Sequence, residues 1–362
     1  MSGPGTSEID RERRRGRGAV GNATGRFEQH QRSSFDDGWD GLASLEAFAT
    51  TVETEAARSI ITTNQSPDIS FDQSINPYRG CEHGCTYCYA RPTHAYLGLS
   101  PGLDFETRLY AKTNAATLLE AELAAPGYVP KTIALGTNTD PYQPIERDRQ
   151  ITRQILTVLE RSRHPVGIVT KSALVTRDID ILARMARDGL AKVALSVTTL
   201  DRTLARAMEP RAATPGRRLD AIRQLTEAGI PTAVMVAPIV PALTDSETEQ
   251  ILEAARDAGA TEAGYVLLRL PLEIKDQFSD WLDEAAPDRA KRVMTIMRAM
   301  RGGKAYDSRW HVRQIGTGPY ASLIAQRFQL ALRRLGLNRR RERLRTDLFA
   351  PPVLPGQQLP LL

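Results

Sequence analysis

The chain has 362 residues, of which 41% are hydrophobic and 25% charged, a balance ordinary for a globular protein and long enough for one barrel-sized domain with extensions. Its longest nearly apolar run, residues 233–243, contains two prolines and falls far short of the ~20 residues that cross a bilayer. The net charge of +5 sits at the two ends: residues 327–345 carry eight arginines against Glu342, and residues 1–26 carry six arginines against Glu8, Asp10 and Glu12. No membrane span is expected, and the polar N-terminus lacks the apolar centre of a secretory signal. The expected home is therefore the cytoplasm. The basic ends are either solvated tails or segments that reach a phosphate backbone by releasing its counterions.

In chain order, residues 1–34 have almost no apolar periodicity, which predicts disorder. Residues 42–61 have room for one short helix before a turn at Ser66-Pro67. A strand beginning near Ile69 then delivers the chain to Asn76-Pro77-Tyr78-Arg79-Gly80. Beyond the loop that follows, strand-like runs at 132–136, 166–170, 192–198, 232–238 and 264–270 alternate with helical patterns at 149–163, 177–188, 217–228 and 245–258. Gly189, Gly229 and Gly259 stand where helices end in a left-handed residue. Apolar strands alternating with helices of this length mean βαβ units and a parallel sheet of six strands. The alternation stops after Leu270. Residues 272–302 read as two helices, the second opened by Pro287. Residues 320–335 carry an apolar stripe at Ile324, Phe328, Ala331 and Leu335, and together they suggest a helical cap. The predicted organisation is a basic, mostly disordered region over 1–65, a barrel over 66–271, a helical cap over 272–338 and a basic, Pro-rich disordered tail over 339–362.

The only three cysteines, Cys81, Cys85 and Cys88, lie within eight positions. An odd number of clustered thiols argues for a metal rather than disulfides, and thiolates select iron–sulfur clusters, zinc or copper(I). An ordinary [4Fe-4S] cluster takes four cysteines, so three would leave one iron open. A Cys3His zinc site completed by His83 or His94 is the rival, and three unliganded thiols the third reading. The C-x3-C-x-aromatic-C pattern of Cys81, Cys85, Tyr87 and Cys88 resembles the signature of the radical S-adenosylmethionine (SAM) superfamily. The resemblance implies a (βα)6 partial barrel of the TIM type, and a [4Fe-4S] cluster whose open iron is chelated by SAM. It also implies one-electron cleavage of SAM to a 5′-deoxyadenosyl radical, with a flavodoxin or ferredoxin as the expected reductant.

Parallel barrels build their sites at the C-terminal ends of the strands, so polar residues there are the candidates for holding SAM. On that resemblance, Thr139 and Asp140 are expected to meet its ammonium group. Lys171, Ser172 and Ser196 are expected to meet the carboxylate and ribose, and the backbone of Pro238 and Ile239 to bracket the adenine. Glu209 or Arg211, in Glu209-Pro210-Arg211, is a further candidate, with a helix-end salt bridge as the alternative. The run from Asn76 to Arg91, the Thr137-to-Glu146 loop and Glu209-Pro210-Arg211 resemble the spore photoproduct lyase-like branch over about residues 70–270. Members of that branch are often labelled DNA repair photolyases. In true spore photoproduct lyases two tyrosines beside the last cluster cysteine assist hydrogen return, and Tyr87 and Tyr89 stand in those places. The same enzymes carry a donor cysteine on the loop after the second strand, where this chain has no thiol and Thr137 stands near that position. An alcohol O–H is too strong a bond to replace it.

The C-terminal Gln358 to Leu362 resembles the peptide by which bacterial repair proteins dock on the DNA sliding clamp. Leu361 and Leu362 would fill an apolar pocket. The function expected from all of this is a radical SAM enzyme acting on DNA. The alternatives are a DNA-binding accessory protein with a structural or redox-sensing cluster, and a radical SAM enzyme acting on a protein or small molecule.

Overall fold

The computed structural model describes residue 9, residues 11–32 and residues 47–354. The strands fall in chain order as β1 Thr51–Thr54, β2 Ile61–Thr63, β3 Gln73–Ile75, β4 Tyr78–Arg79, β5 Arg108–Ala111, β6 Ile133–Leu135, β7 Val166–Thr170, β8 Ala191–Ser196, β9 Thr232–Ile239 and β10 Glu262–Leu267. Seven form one sheet in the order β10-β9-β8-β7-β6-β3-β2. Six of them, β3 and β6 through β10, run parallel, and β2 closes one edge antiparallel to β3. These are the six βα units expected, arranged as a partial barrel.

The helices Ile151–Arg161, Ile179–Arg187, Pro215–Glu227 and Thr248–Asp257 cover the outer face of that sheet. They cover it because each carries an apolar stripe: Ile151, Ile155, Leu156 and Leu159 are buried on the first, and Ile251, Leu252 and Ala255 on the last. Burial on both faces explains why the strands read as near-continuous apolar runs. Ile75, Leu135, Ile168, Leu195, Val234 and Leu267 are all fully buried. The C-terminal helical extension is also as expected. Helices Ile274–Ala285, Pro287–Ala299 and Gly318–Leu335 follow β10, with Pro287 at the first helical turn, where its missing N–H costs nothing.

Four expectations need correction. Of the short helix expected within 42–61, residues 42–46 lie outside the described residues; the described part, 47–61, holds no helix but β1 and the start of β2, because Thr50-Thr51-Val52 and Ile60-Ile61-Thr62-Thr63 are β-branched runs that favour strands. The strand expected from Ile69 begins only at Gln73. The N-terminal arm is ordered over 11–32: Arg14 donates to Glu284, and Arg17 reaches the carbonyls of Glu106 and Phe48. The tail is fixed as far as Ala350, whose N–H meets Ser162 O at 2.9 Å.

A smaller sheet, β1-β5-β4, stands beside the barrel, with β1 parallel and β4 antiparallel to β5. The open side between the sheet's edges is bridged by the loop before the last helix. Gln314 O accepts from Leu267 N at 2.8 Å at the end of β10. Arg313 and the His311 N–H each meet the Asp68 carboxylate at 2.6 Å on the turn between β2 and β3.

Candidate active site

The three cysteines lie on the loop after β4, at the C-terminal end of the barrel. Backbone bonds hold the loop from several sides. Cys81 N donates to Phe105 O at 2.9 Å, and Thr86 N to Met208 O at 3.0 Å. Gln143 receives the Glu82 N–H at 2.9 Å and donates to Gly80 O at 3.2 Å. Arg91, fully buried, donates to Cys85 O at 2.9 Å and to Gly102 O at 2.9 Å, and pairs with the buried Glu106 at 2.5 Å. Glu106 in turn accepts the N–H groups of Gly18 and Ala19 at 2.9 and 2.8 Å, so the N-terminal arm is strapped onto the cysteine loop. The approach is close enough that a Cβ on Gly18 would lie 1.6 Å from Gly84 O. Gly84 itself has φ +67°, a conformation that L side chains rarely adopt.

Cys81 is buried and Cys85 and Cys88 are partly exposed, all three as free thiols. Burial, aided by the charge of Glu209, pushes the Cys85 thiol up to about 12. Burial likewise pushes Cys81 well above its ordinary range. A buried thiolate is stable only against positive charge, and the irons of a cluster supply it. The donor set therefore fits an iron–sulfur group. The zinc alternative finds little support in the histidines. His94 is held by Arg108 O at 2.9 Å and packs edge-on to Phe105, while His83 Nδ1 faces Asp140 at 3.3 Å. Among the described residues no three His, Cys, Asp or Glu converge on a single-ion site.

Beside the loop, the ends of β7, β8 and β9 carry a buried polar network. Tyr87 donates its phenol to Glu209, Thr198 donates to Glu209 at 2.8 Å, and Arg218 closes a salt bridge to the other Glu209 oxygen. Arg218 also donates to Ser196 O at 2.9 Å. Burial works to raise the Glu209 carboxyl, but Arg218 and Lys171 outweigh it and hold it down at about 2. Lys171 stands over the Tyr87 ring, its Nζ 5.7 Å from the centroid, and makes no ion pair among the described residues. Its ammonium is thus a donor with no carboxylate partner among the described residues.

Other candidates are already engaged. Asp140 accepts from Thr170 at 2.6 Å, from Lys171 N at 2.8 Å and from Tyr142 N at 2.9 Å. Burial opposes its charge, yet His83 and these bonds hold its carboxyl down at about 2. It ties β6, β7 and the cysteine loop together. Thr139 donates to Tyr78 O at 3.1 Å, and Ser172 accepts Leu174 N at 3.2 Å as a helix cap. Pro238 and Ile239 are buried at the end of β9, and the Ile239 carbonyl accepts Leu268 N at 3.0 Å. Arg211 pairs with Glu82 at 3.1 Å, in the cysteine loop. Tyr89 faces the mouth: its ring is 42% exposed, its hydroxyl donates to Thr137 O, and the Arg269 guanidinium lies 4.7 Å over its ring. Sequence reasoning missed Arg91, Glu106, Arg218 and the Gly18–Ala19 strap.

A barrel with free thiols at the mouth, backed by a buried acid–base network, belongs to the metal-dependent enzymes that assemble their site on strand ends. The chain is a member of the radical SAM superfamily, whose pattern matches residues 75–255. It is therefore an enzyme that uses a [4Fe-4S] cluster and SAM, and radical SAM enzymes require a reductant. An uncharacterized protein of Mycobacterium tuberculosis is 40% identical over 232 residues, covering 64% of this chain and 68% of the relative. An uncharacterized protein of Methanocaldococcus jannaschii is 31% identical over 173 residues, 48% of this chain and 62% of its own length. Among solved structures, a spore photoproduct lyase variant with bound AdoMet and dinucleoside spore photoproduct superimposes with a TM-score of 0.56 at 16% identity, covering 78% of each chain. At that identity the likeness is one of fold. No helix among the described residues is long and apolar enough to cross a membrane.

Proposed function

We propose that this enzyme acts on DNA bases, with Cys81, Cys85 and Cys88 as the cluster ligands and the Lys171–Glu209 face as the SAM pocket. The observation that carries the cofactor side is the unpaired Lys171 ammonium beside Tyr87 and Cys85. When bound, the cluster and SAM supply a 5′-deoxyadenosyl radical. The chain's own residues do the rest. Lys171 and the Ser196 hydroxyl offer donors to a carboxylate and a ribose. The Glu209 carboxylate, kept ionised by Arg218, fixes Tyr87 behind the loop. Asp140 organises the loop ends rather than meeting ligand directly. Of the two tyrosines, Tyr89 is the one that faces the mouth, where a substrate would lie. The DNA reading is supported by the fold likeness to a lyase solved with a dinucleoside lesion and by the aromatic–arginine pair of Tyr89 and Arg269 at the mouth.

Anaerobic reconstitution should give a brown protein with about four irons per chain that forms 5′-deoxyadenosine from SAM under reductant. Cys81→Ala, Cys85→Ala and Cys88→Ala should each abolish it. With deuterated DNA the label should pass into 5′-deoxyadenosine; label arriving only from a peptide or small molecule would overturn the DNA assignment alone. A colourless protein with one zinc would overturn the whole reading. The clamp-docking residues 358–362 lie outside the described residues; deleting them should eliminate sliding-clamp binding, and unchanged affinity would reject that partner.

A further inference from the structure

The arginine-rich segment is anchored at the end of the barrel opposite the cysteines. Asn338 N donates to Thr261 O at 2.9 Å, and the Asn338 side chain accepts from and donates to the backbone of Ala263, at 2.8 and 2.9 Å. Arg345 N meets Gly189 O at 2.9 Å. Thr261 and Gly189 precede β10 and β8, so this is the face where parallel strands begin, about 15–20 Å of strand away from the mouth. The arginines here fall into two groups. Arg327, Arg334 and Arg345 pair with Glu249, Glu253 and Asp347. Arg333, Arg339, Arg340, Arg341 and Arg343 are exposed and have no carboxylate partner among the described residues, with Glu342 the one acid among them.

Elsewhere some arginines are compensated, as Arg153 is by Asp178 and Asp180, Arg177 by Glu146 and Asp178, and Arg184 by Glu160; here four of the unpaired ones fall within five consecutive positions, 339–343. Side by side, like charges repel and oppose compaction. Here they are pinned by Asn338 rather than left on a loose tail. Arg333, Arg339 and Arg341 line a groove of about 430 Å³ with Gln329, Leu337 and Asn338. Guanidinium groups match phosphate oxygens in bidentate geometry. The row 339–343 carries no apolar side chain of the kind that an interfacial membrane anchor inserts.

We propose that this face is a second, non-catalytic site that grips the phosphate backbone of duplex DNA. It stands whether or not DNA is the substrate at the mouth. The test measures a labelled random-sequence duplex binding to the full-length reconstituted enzyme over a salt series. Replacing all five free arginines by Gln should flatten the slope of log K against log salt by about 4.5, since each phosphate contact contributes roughly 0.9. The Arg339→Gln/Arg341→Gln pair, a smaller change, should flatten it by about 2. Uncoupled SAM cleavage should be unchanged in both variants, because the mouth lies at the other end. An unchanged slope overturns the proposal. So does lost SAM cleavage in the paired variant, or binding of phosphatidylserine vesicles with no binding of duplex.

Discussion

Arg218→Met isolates one charge in the interior and therefore reads the site's electrostatics directly. The Arg218 and Glu209 side chains are each only 1% exposed. Removing one partner of such a pair strands the other and costs about 3–5 kcal/mol, whereas replacing both can be neutral or stabilising. For a chain of this size 1 kcal/mol moves Tm by about 1.3 °C, so the variant should melt about 4–7 °C lower, measured by far-UV circular dichroism. Glu209→Gln combined with Arg218→Met should recover most of that loss. The pH dependence has a definite sign. The wild-type carboxyl is held at about 2, below its ordinary 4.5, so its contribution is full above pH 4.5 and is lost as pH falls towards 2. Without Arg218, burial favours the protonated acid and the charged form becomes a liability. The stability gap between wild type and Arg218→Met should therefore be widest at neutral pH and narrow towards pH 4. A gap below 1 kcal/mol, or a double variant no more stable than the single one, would refute the reasoning.

Three further outcomes follow from the same geometry. Gly18→Val puts a side chain into the Gly84 carbonyl, displacing the strap from Glu106; the folded barrel should persist by circular dichroism while iron retention falls, and equal iron content would refute the strap's role. Lys171→Ala removes the unpaired ammonium, and SAM affinity by equilibrium dialysis should drop about 10–100-fold, the loss of one charge-assisted bond; undiminished affinity would move the carboxylate contact elsewhere. Thr137→Cys places a thiol on the loop whose carbonyl meets Tyr89; with dinucleoside spore photoproduct as probe, the variant should split the lesion while the native chain does not, and splitting by the native chain would show that no thiol on this loop is needed.

The barrel was legible because its signals are local. Apolar runs at 166–170 and 232–238 alternate with helices closed by Gly189, Gly229 and Gly259, whose φ values of +71°, +77° and +102° suit glycine. The cysteines were legible from spacing alone. What stayed hidden depends on distant partners. Arg14 and Arg17 look like a solvated basic arm, yet they bind Glu284 and the Glu106 carbonyl across most of the chain. Arg218 follows Arg217 in a polar helix start, and nothing in that pair tells which one turns inward onto Glu209. The charge at 327–345 was plain, but its position on the face away from the mouth follows from Asn338 meeting the start of β10 and Arg345 meeting Gly189 before β8.

The division of labour in the molecule follows from where its constraints are dense. Around the cysteines every loop is held twice over: Arg91 and Glu106 from one side, Gln143 and Asp140 from another, the Glu209 network from beneath. A site that generates a radical gains from that rigidity, because placement and exclusion of water are what the protein contributes. The mouth is built differently. Tyr89 is exposed, Arg269 leans on it, and its hydroxyl donates to the Thr137 carbonyl. On the proposed function, substrate choice rests on residues at the rim, which can change without disturbing the strapped loop. Arg269, whose guanidinium lies 4.7 Å over the Tyr89 ring, belongs to that rim. Altering it should change which substrate is processed and leave uncoupled SAM cleavage as it was.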